Sequence, residues 1–243
     1  MDVVPDLAAE QERLESLLAA LTPEQWSTPS AAPGWTIADV VLHLAQTEEA
    51  VAASIASAGR DELWERGEQP LDDAVDDAVR AERAPGAEVF RRWQAARLTA
   101  LDALRGADPQ LRVPWAATPL RPAVLATTRL AEHWAHGLDA TAPLGLPFPD
   151  TDRLRHIAWL GHRTLPYAFR VEGLDPREVY CELTGPDGAA WRYGPASADS
   201  VVRGPAGDFC RVGARRLAPE ESALVAEGPH AAAALRVLRN YAA

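Results

Sequence analysis

The sequence contains no lysine, so all 24 of its basic residues are arginine. Without a lysine amine, the chain cannot form a Schiff base with a carbonyl substrate or use lysine as a general base. Acidic residues number 35, and the formal net charge is −11. Proteins that bind nucleic acid or anionic membranes carry a basic face, so this balance of charge argues against both partners.

Cysteine is scarce, and Cys181 and Cys210 lie far apart without a CxxC motif. We interpret them as small buried hydrophobes and as a reduced pair in the cytoplasm, while a disulfide between them stays open. Residues 1–18 lack the basic and apolar regions of a signal peptide, and no apolar stretch reaches the length of a membrane span. The sequence therefore predicts a cytoplasmic protein without a membrane partner.

Three motifs of common enzyme classes are also missing: a glycine-rich phosphate loop, the GxSxG of serine hydrolases and the HExxH of zinc proteases. Hydrophobic residues nevertheless make up 47% of the 243 residues, and charged residues make up 24%. These shares are ordinary for a globular protein, so the chain can bury a large core in one or two domains.

Apolar residues recur at helical spacing over roughly the first 170 residues. In the second helix, Thr36 and Asp39 have the spacing of a capping box. We expect Pro166 to break or end the fifth helix. The acidic segment at 60–84 is interpreted as a helix extension and a loop, with the run DDAVDDAVRAE as a solvated face. The predicted amphipathic helices cover residues 6–21, 36–59, 86–105, 121–139 and 152–168.

The pattern changes after Gly173. EVYCEL and AAWRYG flank a Gly-Pro-Asp-Gly turn and predict a β-hairpin. SVVRG and SALVAEG resemble strands, a short helix is expected to start near Pro205, and the chain ends in a further helix. We therefore predict a mainly α helical bundle at 1–170 and a small α+β domain at 171–243.

The segment RLAEHWAHGLD at 129–139 carries the strongest candidate site. Glu132 and His136 are four residues apart and share one helix face, whereas His133 and His136 form a competing pair. A catalytic zinc ion needs three protein ligands and an open position. His43, within an apolar stretch of the second helix, is the candidate third ligand, although a core histidine is the alternative.

PGWTIADVVLHL and LAEHWAHGLDATAPLG, with GHRTLPYAF and GPAGDFCRV, resemble the DinB-like, mycothiol-dependent maleylpyruvate isomerase superfamily, in its metal-binding branch with a C-terminal α+β domain. The resemblance implies a DinB-like four-helix bundle with a tryptophan-bearing turn before the second helix. It also implies one divalent metal ion, usually zinc, with His43, Glu132 and His136 as its ligands and as the catalytic residues.

The resemblance further implies a reaction that uses a small thiol, with mycothiol as cosubstrate. The metal would hold the thiol as a thiolate for addition to an unsaturated or electrophilic small molecule, as in an isomerase or thiol S-transferase. A metal-bound water in a hydrolase or lyase remains an alternative, as does a non-catalytic metal-binding or small-molecule-binding protein. The ligand set suits several ions besides zinc.

Three residues near the candidate ligands invite predictions. Arg129 is expected either to pair with Glu132 or to form a surface ion pair. Asp139 is expected to hydrogen-bond the outer nitrogen of a ligand histidine or to cap the next turn. His133 is expected to be exposed.

Four further residues are candidate substrate contacts. Trp35 is expected to pack at the entry of the second helix, near the open metal position. His162, Arg163 and Arg211 could reach an anionic small-molecule substrate, since arginine binds carboxylates through paired hydrogen bonds. Both a monomer and a homodimer fit the sequence.

Overall fold

A computed structural model describes residues 2–58, 70–115 and 118–240. Their contacts divide the chain into two compact units, the first ending at Phe148 and the second beginning at Pro149. The sequence analysis instead placed the boundary after residue 170. The difference concerns one helix, Leu154–Val171, which packs against the later helices Ala206–Gly213 and Ala231–Val237.

In the residues that the structure describes, the first unit is a bundle of four long α-helices with two short ones, and it confirms the predicted helical bundle. The helices are α1 (Val3–Leu18), α2 (Pro23–Trp26), α3 (Ile37–Ser57), α4 (Leu71–Ala81), α5 (Gly86–Gly106) and α6 (Pro122–Thr141). Helix α3 packs along α5 and against α6, while α1 packs against α6 and α5. Leu14, Leu44, Trp93 and Ala140 belong to the buried apolar core of this bundle.

A local sequence signal sets the start of α3. Thr36 accepts a hydrogen bond from the Asp39 backbone N–H, and the Asp39 side chain accepts one from the Thr36 N–H, which completes the predicted capping box of α3. In the acidic segment, helix α4 forms separately from α3. The part of that prediction at 59–69 lies outside the described residues.

Up to residue 240, the second unit combines three α-helices with a four-stranded sheet, in agreement with the predicted α+β character. The elements are α7 (Leu154–Val171), β1 (Tyr180–Thr184), β2 (Ala190–Tyr193), β3 (Val201–Pro205), α8 (Ala206–Gly213), β4 (Val225–Glu227) and α9 (Ala231–Val237). The strand order is β2-β1-β3-β4, in which β1 pairs antiparallel with β2 and parallel with β3. Strand β3 pairs antiparallel with β4 and leads directly into α8.

Helix α7 continues through Pro166 to Val171, so the prediction that this proline breaks or ends the helix is wrong. Proline removes one helical hydrogen bond. Leu165, Ala168 and Phe169 are all buried around it. Their packing outweighs the lost bond and keeps the last turn helical.

Within the described ranges, none of the helices has the length and apolar character that crossing a membrane requires.

Candidate metal centre

Two helices of the first unit bring the candidate ligands together. His43 lies on α3, and Glu132 and His136 lie one turn apart on the facing side of α6. One ligand atom from each residue lies within 4.8 Å of the other two. Among the described residues, this is the only group of three or more His, Cys, Asp or Glu side chains close enough to share a metal ion.

A single carboxylate oxygen sits at the centre of the group. Glu132 Oε2 lies 3.5 Å from His43 Nε2 and 3.4 Å from His136 Nε2. The two imidazole rings meet edge to face, with their centroids 5.0 Å apart. Both histidines are buried, whereas the Glu132 side chain keeps a quarter of its surface exposed, 25%. The two imidazole nitrogens are therefore buried, and the Glu132 carboxylate is the part of the group that reaches toward solvent.

Asp139 orients His136. Its Oδ2 accepts a hydrogen bond from His136 Nδ1 at 2.9 Å, so the Nε2 atom of His136 is the one that faces Glu132. A carboxylate on the outer nitrogen fixes the ring and its tautomer and makes the inner nitrogen a better ligand. Asp139 thus occupies the position, on the outer nitrogen, where a carboxylate commonly accepts a hydrogen bond from a metal-binding histidine.

The pKa values of the three groups move in different directions. Burial lowers the pKa of His43, although the nearby Glu132 opposes this change. Burial also disfavours the charged form of His136, but Asp139 and Glu132 outweigh it and raise the pKa of His136. Burial favours a protonated Glu132, yet hydrogen bonds from both histidines hold its pKa well below the ordinary value. Glu132 is therefore ionised at neutral pH.

This donor set fits a divalent cation. A carboxylate oxygen and the bare nitrogen of a neutral imidazole repel each other, so the arrangement requires positive charge between them. Protons on the two rings can supply this charge, and so can a metal ion shared by the three ligand atoms. Two imidazoles and one carboxylate form a three-ligand set that leaves a position open.

Trp35 borders the group. Its ring centroid lies 5.2 Å from that of His43 and 6.1 Å from that of His136, and it is nearly parallel to the latter ring. The loop that carries Trp35 is tied to the end of α6, because the Ala31 backbone N–H donates to the Asp139 carbonyl at 2.9 Å. Gly34, with φ of +80°, makes the turn that a side chain would disfavour.

Arg129 lies behind the group and makes a buried pair. Its Nε donates to Glu48 Oε1 at 2.9 Å, and its Nη2 donates to Thr47 Oγ1 at 2.6 Å. Arg129 is only 2% exposed, so the expectation of a surface ion pair is wrong. The pair joins α6 to α3 close to His43, and the positive charge of Arg129 helps to lower the pKa of Glu132.

His133 is fully buried, so the prediction that it is exposed is wrong. Its Nδ1 donates to the Arg129 carbonyl at 2.9 Å, and its Nε2 accepts from Trp93 Nε1 at 3.2 Å. The amide nitrogen of Gln11 lies 3.4 Å from the same Nε2. Burial and the charge of Arg129 hold the pKa of His133 well below its ordinary value, so the ring is neutral.

The sequence analysis missed Glu48, Trp93 and Gln11 as parts of this polar cluster. Each comes from a different helix, so no short spacing reveals the set. Glu48 stands beside Glu49 and resembles part of a solvated face. A signal was nevertheless available, because the helical period places Glu48 on the same side of α3 as the apolar Leu44 and Val41.

The remaining candidate substrate contacts lie in the second unit. His162 Nε2 lies 3.0 Å from the Val179 carbonyl oxygen. The Arg163 guanidinium stands 5.7 Å from the centroid of the Trp159 ring. Arg211 forms two hydrogen bonds with the Asp150 carboxylate, at 2.9 Å and 2.7 Å.

Cys181 and Cys210 are free thiols, and both are buried. Burial raises the pKa of Cys181 to about 12 and that of Cys210 well above its ordinary value. Neither is therefore a thiolate at neutral pH.

The family model described as the mycothiol maleylpyruvate isomerase N-terminal domain matches residues 7–141, more than half of the chain. The chain belongs to this family. The matched region of this mycothiol maleylpyruvate isomerase family member includes the whole of α3 and α6, and hence all three candidate ligands.

Relatives and solved structures agree with this membership. Two uncharacterised proteins of Mycobacterium tuberculosis, from strains CDC 1551 and H37Rv, are each 40% identical to the chain over 219 residues, which is 88% of this chain and 85% of each relative. The crystal structure of the mycothiol-dependent maleylpyruvate isomerase has a TM-score of 0.64, and that of a histidine-to-alanine mutant has 0.63. At 15% identity, with 93% of this chain and 95% of theirs covered, these likenesses show the fold.

Proposed function

We propose that this chain is a zinc-dependent enzyme that uses mycothiol to act, as an isomerase or thiol S-transferase, on a small anionic substrate. The observation that carries the proposal is the convergence of His43, Glu132 and His136, with one ligand atom from each within 4.8 Å of the others. Membership of a family named for mycothiol and maleylpyruvate isomerase supports the thiol chemistry.

The chain's own residues prepare the group for a metal ion. Burial keeps His43 neutral, and Asp139 holds the proton of His136 on its outer nitrogen. Glu132 stays ionised because both histidines lie against it. Because Asp139 and Glu132 raise the pKa of His136, binding of a cation at its Nε2 atom releases a proton, so metal affinity should rise with pH.

A zinc ion held by His43, Glu132 and His136 would lower the pKa of a thiol at the open position and so supply a thiolate at neutral pH. The ring of Trp35, which lies against His43 and His136, would limit the approach of water to the group. In an isomerisation, the sulfur would add to one carbon of a cis double bond, and the electron pair would pass to a conjugated carbonyl. The remaining single bond would rotate, and the return of the electron pair would expel the thiolate and give the trans product. No atom is gained or lost overall.

An anionic substrate also needs positive charge. Because the chain has no lysine, arginine and histidine must supply it. His162, Arg163 and Arg211 remain our candidates for this role. A planar guanidinium can bind a carboxylate through two parallel hydrogen bonds, as Arg211 already does with Asp150.

The first test is the metal content of the purified full chain. We expect about one zinc ion per chain in the wild type, and nearly none in His43→Ala and His136→Ala, since two ligands hold zinc poorly. His230→Ala is the matched control, because it removes a histidine outside the group. Wild-type protein that takes up no zinc, even when zinc is supplied, would refute the metal site.

The second test separates thiol chemistry from hydrolysis. The zinc-loaded chain is assayed with maleylpyruvate and related cis-unsaturated acids, with and without mycothiol, and after chelation of the metal. We expect turnover only when both zinc and mycothiol are present. Turnover of a substrate without thiol would instead support a metal-bound water as the nucleophile.

A further inference from the structure

The indole of Trp35 is held from two directions. Its ring lies against His43 and His136, at centroid distances of 5.2 Å and 6.1 Å. Its Nε1–H donates a hydrogen bond of 2.7 Å to Asp76 Oδ1, on helix α4. The second oxygen of Asp76 accepts from Arg80 at 2.7 Å, which fixes the carboxylate in the orientation that the indole needs.

Arg83, two residues after the end of α4, contacts the chain on both sides of Trp35, on one side through Asp39. Its guanidinium donates two hydrogen bonds to Asp39, at 2.9 Å and 3.0 Å, and Asp39 in turn accepts a hydrogen bond from the Thr36 backbone N–H. The same guanidinium lies 3.5 Å from the Gly34 carbonyl oxygen. Gly34 and Thr36 are the two neighbours of Trp35, so α4 and the residues after it contact this loop directly at Trp35 and Gly34, and through Asp39 at Thr36.

Most residues of helix α4 are exposed. Val79 is its only buried residue. Gln46 of α3 adds hydrogen bonds to the Ala78 carbonyl and to Glu82. A helix with one apolar anchor depends on polar contacts for its position, and such segments open more readily than the core.

We propose that Asp76 is a positioning residue for the candidate metal centre. It holds the Trp35 indole by its N–H, so that the face of the ring stays against the two histidines and borders the place where the thiol binds. This inference rests on the proposed function, because it assumes a ligand beside the metal.

The hydrogen bond also determines how Trp35 can meet a ligand. The indole has one donor, and Asp76 already uses it. Trp35 therefore offers the ligand a flat apolar face and no hydrogen bond. The group next to the sulfur should be recognised by packing, so its apolar surface should matter more at this wall than its polar atoms.

The test uses the full chain loaded with Co²⁺ and titrated with mycothiol, with the sulfur-to-cobalt absorption band as the readout. In Asp76→Ala we expect mycothiol affinity to fall about threefold to tenfold, the equivalent of one net hydrogen bond, while Co²⁺ affinity is unchanged. Asp76→Asn keeps an acceptor oxygen and should restore most of the affinity. Asp73→Ala removes the same charge one turn earlier on α4 and should match the wild type.

A double-mutant cycle shows whether Asp76 acts through the indole. Trp35→Phe keeps an aromatic ring but has no N–H, so Asp76→Ala should cause no further loss of affinity in that background. In the metal-free protein, the Trp35 indole proton resonance, assigned by its absence in Trp35→Phe, should shift in Asp76→Ala and not in Asp73→Ala.

Three results would overturn the inference while leaving the proposed function intact: wild-type mycothiol affinity in Asp76→Ala, an equal loss in Asp73→Ala, or an equal loss from Asp76→Ala in both tryptophan backgrounds. A wild-type protein that binds Co²⁺ but gives no band with mycothiol would instead refute the thiol-dependent function, and the inference with it.

Discussion

The ring of Phe148 lies so close to Gly137 that a β-carbon on Gly137 would collide with Phe148 Cζ. Gly137 directly follows His136, so the same contact supports the helix turn that carries a candidate ligand. The guanidinium of Arg13 covers the Phe148 ring at 3.7 Å from its centroid, which leaves the ring little room to move. Residue 137 must therefore be glycine, because the Phe148 ring leaves no space for a side chain there.

Replacing Gly137 with alanine should destabilise the first unit, even though alanine favours a helix. Overpacking costs about 1–3 kcal/mol, more than the gain in helix propensity of about 1 kcal/mol. Urea unfolding should show a net loss of stability, and zinc affinity should fall because His136 moves. Gly106→Ala is the control, since nothing lies within 4 Å of a β-carbon there.

A double-mutant cycle that combines Gly137→Ala with Phe148→Ala tests whether Phe148 is the residue that excludes a side chain at position 137. If the two residues collide, the second change should cost less stability in the alanine background than in the wild type. Fully additive losses would show that Gly137 is required for a reason other than Phe148.

The buried pair of Glu48 and Arg129 should be more important for stability than its exposed neighbour. Glu48→Ala leaves the Arg129 charge buried without its partner, so we expect the free energy of unfolding to fall by about 3–5 kcal/mol. Glu49→Ala removes an exposed carboxylate that pairs with Arg92 and should cost less than about 1 kcal/mol.

Replacing both partners distinguishes the stability that the Glu48–Arg129 ion pair contributes from the cost of burying one charge without its partner. Glu48→Leu with Arg129→Met removes both charges, so the double variant should be more stable than the sum of the single losses predicts. Chemical denaturation of the four proteins measures this difference. Losses that simply add would mean that the two side chains stabilise the bundle independently.

Local spacing predicted much of the bundle and of the candidate site. The pairing of Glu132 with His136 follows from the period of one helix, and the Thr36–Asp39 capping box follows from a spacing of three residues. These features depend on residues within one turn of each other, so the sequence pattern contains them directly. The proximity of His43 came from the family resemblance, because spacing cannot say which faces of two helices meet.

Contacts between distant residues could not be predicted in this way. His133 is buried because Trp93, 40 residues earlier, and Gln11, 122 residues earlier, supply its hydrogen-bond partners. Trp35 and Asp76 are 41 residues apart, and their contact depends on where α4 lies. Polar residues at such positions resemble surface residues until their partners are known, which is why the exposure of His133 was wrongly predicted.

The two cysteines should resist modification in the folded protein. With a pKa of about 12 for Cys181, and a higher-than-ordinary value for Cys210, almost no thiolate exists at pH 8. We expect Ellman's reagent to react slowly with the native chain and rapidly with both thiols after unfolding without reductant. Fast labelling of the native chain would contradict their burial, and no labelling after unfolding would indicate a disulfide.

Asp139 should control metal affinity without binding the metal itself. Its carboxylate accepts the Nδ1 proton of His136 at 2.9 Å, so Asp139→Ala frees the ring to rotate and weakens Nε2 as a ligand. Changes of this kind cost about 10–100-fold in metal affinity, and we expect a loss in that range when zinc is titrated into metal-free protein in a calorimeter. Asp139→Asn, which keeps an acceptor oxygen but loses the charge, should fall between wild type and alanine. Asp102→Ala, on the exposed surface of α5, is the control for a lost carboxylate. Equal zinc affinity in Asp139→Ala and the wild type would show that His136 does not need this support, and would weaken its assignment as a ligand.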